Sequence, residues 1–182
     1  MRKLLIPIAA LAALMMSTAA MADLPVGTKA PMFRTSVALG GKTMRYSLRQ
    51  SLRRGPVVVY FFPKAFTSGC TAEAHAFAEA TGEFAAMGAT VIGLSADDLP
   101  TLQKFSTEAC RNKFAVGVAS PQIIRAFDVS LTRRGSAANM TKRTSYVIAK
   151  DGTITMVHSD MDYRDHVKLT LAAVKKLTAK KR

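Results

Sequence analysis

Hydrophobic and polar positions follow two periods along this chain, one typical of β-strands and the other of amphipathic helices. An apolar run at residues 57–62 is entirely β-branched or aromatic and predicts a strand that is buried on both faces. Pro63 ends this run. From Cys70 to Gly88, small and aromatic residues recur at helical spacing with glutamates between them, which predicts a helix that begins near Cys70. Residues 67–69, Thr-Ser-Gly, supply the preceding turn and a possible cap.

The other predicted elements show the same two patterns. Hairpins are predicted for residues 35–39 with 42–47 and for residues 144–149 with 153–158, because glycine-containing turns separate these segments. Strands are also predicted at 89–95 and 115–119, and helices at 48–54, from 97 to a close at Cys110, at 122–127 and around 167–177. Residues 130–141 are expected to form a polar loop. Strands that alternate with helices predict an α/β sandwich with a mixed central sheet.

The N-terminal segment differs in composition from the rest of the chain. Arg2 and Lys3 precede an apolar stretch at 4–16, and small residues lead up to Ala22, which is the pattern of a cleaved signal peptide, residues 1–22. A membrane-spanning helix needs about 20 apolar residues, so stable membrane insertion is not expected. We therefore expect a periplasmic or secreted protein whose mature chain, residues 23–182, folds as a single domain.

The chain is strongly basic, with 26 Lys and Arg residues against 12 Asp and Glu residues and a formal net charge of +14. Such a charge could attract anionic partners. The basic residues are scattered, however, apart from short clusters at 133–134, at 142–143 and in the C-terminal tail. Arginine and aromatic residues do not interleave, so no nucleic-acid partner is expected, and a solvated surface is the simpler interpretation.

The chemistry centres on two cysteines, Cys70 and Cys110, which are too few for a disulfide scaffold or an all-cysteine zinc site. Cys70 lies at a predicted helix start, where unpaired backbone N–H groups favour the thiolate, the reactive form of cysteine. A helix terminus contributes about 0.3–1 kcal/mol. Lowering a thiol pKa from about 8.5 to about 6 takes roughly 3.4 kcal/mol. A nearby cation is therefore needed.

Pro63, Thr67 and Cys70 have the P-x-x-x-T-x-x-C spacing, and the run FFPKAFTSGCTAEA resembles the peroxiredoxins, specifically the bacterioferritin-comigratory-protein or peroxiredoxin Q branch. The resemblance implies a thioredoxin-like three-layer fold with an N-terminal hairpin. It also implies that Cys70 attacks hydrogen peroxide or an organic hydroperoxide, that Thr67 hydrogen-bonds this peroxide, and that Pro63 shields the thiolate. The chain departs from the branch at Ser68, where proline is usual, and at His75, where many members have a second cysteine.

The same resemblance assigns the cation and the second thiol. Arg143, in the run KRTSYVIAKDG, matches the active-site arginine, and Glu73 matches a glutamate that can pair with it. Cys110 resembles a resolving cysteine, which would condense with the Cys70 sulfenic acid to form an intramolecular disulfide. Because bridged cysteines need Cα atoms within about 7 Å, both segments would have to open locally. A thioredoxin-like dithiol protein would reduce this disulfide, no cofactor or metal is implied, and a monomer is expected.

Simpler structural interpretations of these residues stay open. Thr67 could be a turn hydroxyl, Glu73 a solvated helix charge, and Arg143 a surface residue of an edge strand. His75 is more simply a partly buried helix residue than a metal ligand, and a disulfide between the cysteines could be permanent. Weaker candidates for the cation are Arg125, Arg133 and Arg134.

Three other functions compete with a peroxidase. A thiol–disulfide oxidoreductase would normally carry a C-x-x-C motif, which this chain lacks. A copper-delivery or other metal-binding protein of thioredoxin-like fold could use Cys70 and His75 with His158 or His166. The fold could also serve as a basic binding module without catalysis.

Overall fold

A computed structural model of the chain describes residues 23–131 and 140–179. Its strands are β1 (Arg34–Leu39), β2 (Lys42–Ser47), β3 (Val57–Phe61), β4 (Thr90–Ser95), β5 (Ala115–Val118), β6 (Ser130–Leu131), β7 (Met140–Thr141), β8 (Thr144–Ile148) and β9 (Ile154–Ser159). Its helices are α1 (Leu48–Arg54), α2 (Ser68–Ala86), α3 (Leu99–Glu108), α4 (Pro121–Ala126) and α5 (His166–Ala179).

Seven of these strands form one mixed sheet in the order β2-β1-β5-β4-β3-β8-β9. The central strands β3, β4 and β5 are parallel to each other. The N-terminal hairpin, β1 with β2, is antiparallel to β5 at one edge, and the hairpin of β8 with β9 is antiparallel to β3 at the other. The mixed α/β sheet with an N-terminal hairpin, predicted from the sequence, is confirmed.

Helices cover both faces of the sheet and enclose two apolar clusters. Alternate residues of β3 point into different clusters, because successive side chains of a strand face opposite sides: Val58 and Tyr60 face α2, α3 and α5, whereas Val59 and Phe61 face α1 and α4. All five residues of β3 are buried, as the apolar run predicts. The Tyr60 ring crosses β4 at Gly93, where a Cβ atom would lie 2.7 Å from Tyr60 Cζ.

Three details differ from the sequence-based expectations. Helix α2 begins at Ser68, two residues before Cys70, and its N-cap residue Thr67 makes no side-chain cap because its hydroxyl donates to the Lys64 carbonyl, 3.0 Å away. Helix α3 ends at Glu108, so Cys110 lies just beyond it. The ends of the expected loop at 130–141 pair as the antiparallel strands β6 and β7.

Two sequence-based expectations fall outside the described residues. These are the signal peptide at residues 1–22 and the arginine candidates Arg133 and Arg134. Within the part of the chain that the structure covers, none of the helices combines the length and the apolar character needed to cross a membrane.

Candidate active site

The strand directions bring Cys70 and Arg143 to the same edge of the sheet. Strand β3 ends at this edge, and helix α2 begins there after a six-residue connection, residues 62–67. Strand β8 runs antiparallel to β3, with Thr144 opposite Phe61, so the residue directly before β8 lies beside the end of β3. That residue is Arg143, which thus reaches Cys70 although it lies 73 positions further along the chain.

Cys70 occupies the first turn of α2 and is only 1% exposed. Arg143 Nη2 donates a hydrogen bond to Cys70 Sγ at 3.4 Å. The guanidinium can come this close because position 69 has no side chain: a Cβ atom on Gly69 would lie 3.3 Å from Arg143 Nη2. The sulfur therefore has two sources of positive potential, the backbone N–H groups of the helix start and a guanidinium that stays charged.

Arg143 is itself buried, with 4% of its surface exposed, so the surface-arginine interpretation is wrong. Two other contacts fix the plane of the guanidinium: Nε donates to the Met161 carbonyl at 2.9 Å, and Nη1 donates to Glu73 Oε2. The Arg143 backbone carbonyl accepts from the Asp160 N–H at 3.2 Å. The weaker candidate Arg125 is exposed on α4, on the opposite face of the sheet.

Glu73 lies one helical turn after Cys70 and is fully buried, so it is not a solvated helix charge. Burial raises the pKa of Glu73, and the charge and hydrogen bond of Arg143 lower it part of the way back. Only one carboxylate oxygen pairs with the guanidinium. Oε1 has no hydrogen-bond partner among residues 23–131 and 140–179, and it lies 3.7 Å from His166 Nδ1.

His166, at the start of α5, belongs to this site, although the sequence suggests it only as a metal ligand. Its ring is fully buried, with Nε2 3.0 Å from the Asp160 carbonyl and Nδ1 2.8 Å from Ser145 Oγ. Burial lowers the pKa of His166 to about 4, so the ring is neutral near pH 7. A neutral ring that donates from Nε2 to a carbonyl accepts at Nδ1 from the Ser145 hydroxyl.

Two further predicted residues lie in the connection between β3 and the Cys70 helix. Pro63 is half-buried two residues after the end of the strand, and Thr67 is exposed three residues before the cysteine. The Thr67 hydroxyl is engaged by the Lys64 carbonyl, so it would have to rotate to reach a bound peroxide. Phe66, between them, has a left-handed backbone with φ of 64°. His75 is half-buried on α2, as the simpler interpretation expects.

Cys110 lies in different surroundings on the same side of the sheet. It is 0% exposed within the apolar cluster of Tyr60, Phe77 and Phe105, and burial raises its pKa. Both cysteines are free thiols in this structure. The two residues that follow, Arg111 and Asn112, have left-handed backbones with φ of 50° and 61°, a conformation that costs non-glycine residues free energy.

The histidines do not assemble a metal centre with Cys70. The His158 and His166 rings are 4.5 Å apart, but both nitrogens of His166 already have partners. Across residues 23–131 and 140–179, no three side chains of His, Cys, Asp or Glu come together as a set of metal ligands.

Proteins that are similar to this chain include peroxiredoxins and members of the AhpC/TSA family. A model of the AhpC/TSA family matches residues 26–157. Peroxiredoxin Bcp of Bacillus subtilis (strain 168) is 29% identical over 126 residues, which are 68% of this chain and 80% of the relative. Peroxiredoxin Bcp of Escherichia coli (strain K12) is 30% identical over 112 residues, 60% of this chain and 72% of the relative. Among solved structures, Peroxidoxin BcpB from Mycobacterium tuberculosis has a TM-score of 0.74 at 28% identity, covering 84% of this chain and 97% of that one.

Proposed function

This chain belongs to the AhpC/TSA family, and from that premise we propose that it is a thiol peroxidase that reduces hydrogen peroxide and organic hydroperoxides. The relatives of the Bcp and peroxiredoxin Q type agree with the branch that the cysteine motif indicates. The observation that carries the proposal is the hydrogen bond of 3.4 Å from the buried Arg143 guanidinium to the sulfur of Cys70.

In the first step, the Cys70 thiolate attacks one oxygen of the peroxide O–O bond. This bond breaks, the departing oxygen takes up a proton and leaves as water or an alcohol, and the cysteine is oxidised to a sulfenic acid. Arg143 has a planar set of donors, so it can stabilise the thiolate and the departing oxygen at once. Thr67, once its hydroxyl rotates away from Lys64, would hold the peroxide, and Pro63 would limit the access of water.

In the second step, the Cys110 sulfur attacks the sulfenic sulfur of Cys70, water leaves, and a disulfide forms. Both cysteines are buried, so the end of α3 and the first turn of α2 must open locally. The two left-handed residues after Cys110 favour this opening, because an unfolded segment no longer bears their conformational cost. A thioredoxin-like dithiol protein would then reduce the disulfide and restore both thiols.

We extend the proposal to export and assembly. The composition of residues 1–22 supports removal of this segment and a periplasmic or secreted enzyme. The resemblance to the peroxiredoxin Q branch supports a monomer. Mass spectrometry of the protein recovered from extracytoplasmic fractions should give an N-terminus at Asp23. An intact N-terminal segment on a cytoplasmic protein would contradict this part of the proposal.

The central experiment measures peroxide consumption by the wild type, Cys70→Ser and Cys110→Ser, with a thioredoxin-like protein as the reductant. Cys70→Ser should abolish turnover, because serine forms no sulfenic acid. Cys110→Ser should consume one equivalent of peroxide and then recycle slowly. Mass mapping of peroxide-treated wild type under non-reducing conditions should show the Cys70–Cys110 disulfide, whereas only intermolecular Cys70 disulfides would exclude Cys110 as the resolving thiol.

A further inference from the structure

Arg143 has donors for three partners, and only one of these partners is the reactive sulfur. The other two are the Met161 carbonyl, which accepts from Nε at 2.9 Å, and the Glu73 carboxylate, which accepts from Nη1. A guanidinium is rigid and planar, so the positions of these two acceptors determine where Nη2 points. Whatever holds Glu73 and Met161 in place therefore also holds the charge that faces Cys70.

His166 contacts both the residue before Met161 and the Glu73 carboxylate. Its Nε2 lies 3.0 Å from the carbonyl of Asp160, the residue directly before Met161, and the Asp160 N–H in turn bonds the Arg143 carbonyl at 3.2 Å. Its Nδ1 lies 3.7 Å from Glu73 Oε1, too far for a hydrogen bond, so the ring packs against this carboxylate oxygen, which has no hydrogen-bond partner among the described residues.

The orientation of the His166 ring is fixed from two further sides. Ser145 Oγ lies 2.8 Å from Nδ1, and the His158 ring packs against His166 at 4.5 Å with an interplanar angle of 61°. With both nitrogens engaged and no exposed surface, the ring has little freedom to rotate. It is thus a rigid connection between the segment that carries Met161 and the helix that carries Glu73.

We propose that His166 is a positioning residue that holds the Arg143 guanidinium against Cys70, through a hydrogen bond to Asp160 on one side and packing against Glu73 on the other. It does not touch the reacting atoms, and it acts only through Arg143. In the context of the proposed peroxidase, it determines how strongly Cys70 is activated.

Three substitutions separate the two hydrogen bonds of the His166 ring, to the Asp160 carbonyl through Nε2 and with the Ser145 hydroxyl through Nδ1. His166→Phe keeps a ring of similar size and removes both. His166→Gln places an amide nitrogen near the position of Nε2 and keeps the contact with Asp160. His166→Asn places an amide oxygen near the position of Nδ1 and keeps the contact with Ser145. The rate of Cys70 alkylation by iodoacetamide, followed by mass mapping, reports on the sulfur without requiring peroxide.

A lost hydrogen bond between buried groups corresponds to a factor of about 3–10. We expect His166→Phe to slow the alkylation of Cys70 about tenfold, and at least one of His166→Gln and His166→Asn to recover about threefold. A His166→Phe rate within twofold of the wild type would overturn the proposal. Equal rates for all three variants, each about tenfold below the wild type, would overturn it too, because restoring either hydrogen bond would then recover none of the lost rate.

His75→Gln is the matched control. His75 lies on α2 together with Cys70 but takes no part in the contacts of His166, so this variant should be alkylated at the same rate as the wild type. If His166→Phe does not fold, Ser145→Ala replaces it, with an expected decrease of about threefold. An unchanged rate in Ser145→Ala would then refute the role of His166.

Peroxide turnover by the same variants distinguishes this inference from the proposed function. A wild type that reduces no peroxide, with the predicted order of alkylation rates intact, would refute the peroxidase and leave the positioning role standing. An active wild type with equal alkylation rates in every variant would refute the positioning role alone.

Discussion

Two thiols with almost the same exposure, 1% for Cys70 and 0% for Cys110, lie in chemically opposite surroundings. Cys70 is in the first turn of a helix and accepts a hydrogen bond from a buried guanidinium. Cys110 lies beyond the end of another helix among aromatic side chains, and burial alone raises its pKa. The comparison teaches that burial does not decide the reactivity of a thiol in this fold, because the charge beside the sulfur does.

The strongest test of this comparison is selective alkylation of the native protein. At pH 7.5, iodoacetamide should label Cys70 about 1,000-fold faster than Cys110, because only the thiolate reacts, Cys70 has a helix start and a cation beside it, and burial raises the pKa of Cys110. Peptide mass mapping at increasing reaction times measures both rates. In denaturant the two rates should agree within about threefold, since both differences in surroundings disappear.

Comparable rates in the native protein would contradict the comparison. That result would mean that the end of α3 opens often enough to expose Cys110 without prior oxidation of Cys70.

The surroundings of the two thiols should affect the pH dependence of stability at different limits, His166 of the Cys70 site at acidic pH and Cys110 at alkaline pH. Burial lowers the pKa of His166 from 6.5 to about 4. Between these pH values, His166 is therefore protonated in the unfolded state and neutral in the folded state. The contribution of His166 to stability is therefore complete above about pH 6.5 and falls by about 3 kcal/mol down to about pH 4, whereas the raised pKa of Glu73 acts in the opposite direction. The raised pKa of Cys110 acts at the other limit. Above its ordinary value of 9.0 only the unfolded state loses this proton, so stability falls by about 1.4 kcal/mol per pH unit.

Denaturant unfolding of variants between pH 4 and 10.5 assigns each limit to its residue. His166→Gln should flatten the acidic limit and leave the alkaline one, whereas Cys110→Ala should do the reverse. A Cys110→Ala variant that loses stability above pH 9 as steeply as the wild type would show that Cys110 is not the titrating group.

The elements of the fold were predictable from sequence because their periodicity is strong, most clearly in the fully buried β3. The motif also selected the residues that the structure places together at the edge of the sheet, Cys70, Glu73 and Arg143. The motif could not reveal His166, because the contact between the start of α5 and Ser145 within β8 follows no spacing rule. Nor could the motif predict the hydrogen-bond partner of the Thr67 hydroxyl, because several nearby backbone carbonyls could accept from it.

The charge beside Cys70 can be removed directly. Arg143→Gln keeps hydrogen-bond donors without the charge, and it should slow both the alkylation of Cys70 and the first reduction of peroxide about tenfold, or about 1.4 kcal/mol. The protein should still fold, because burial already raises the pKa of Glu73 and the carboxylate can take up a proton once its partner is gone. Arg125→Gln, on the exposed surface of α4, is the control and should leave both rates unchanged.

The smallest effect is expected from Tyr60, which belongs to the aromatic surroundings of Cys110. Its ring stacks on Phe77 at 4.4 Å, while its buried hydroxyl has no hydrogen-bond partner in the described part of the chain. Tyr60→Phe should therefore leave the free energy of unfolding unchanged or raise it by up to about 1 kcal/mol, because a buried polar group without a partner is unfavourable. Tyr146→Phe is the matched control.

Tyr146 is equally buried but faces the other cluster, and its hydroxyl donates to the Phe127 carbonyl at 2.9 Å. Loss of the Tyr146 hydroxyl should lower the free energy of unfolding by about 1 kcal/mol, since the Phe127 carbonyl would be left without this donor. Denaturant titrations of both variants at one pH give the two values. If Tyr60→Phe loses as much stability as Tyr146→Phe, the Tyr60 hydroxyl has a partner, and the surroundings of Cys110 are more polar than the comparison of the two thiols requires.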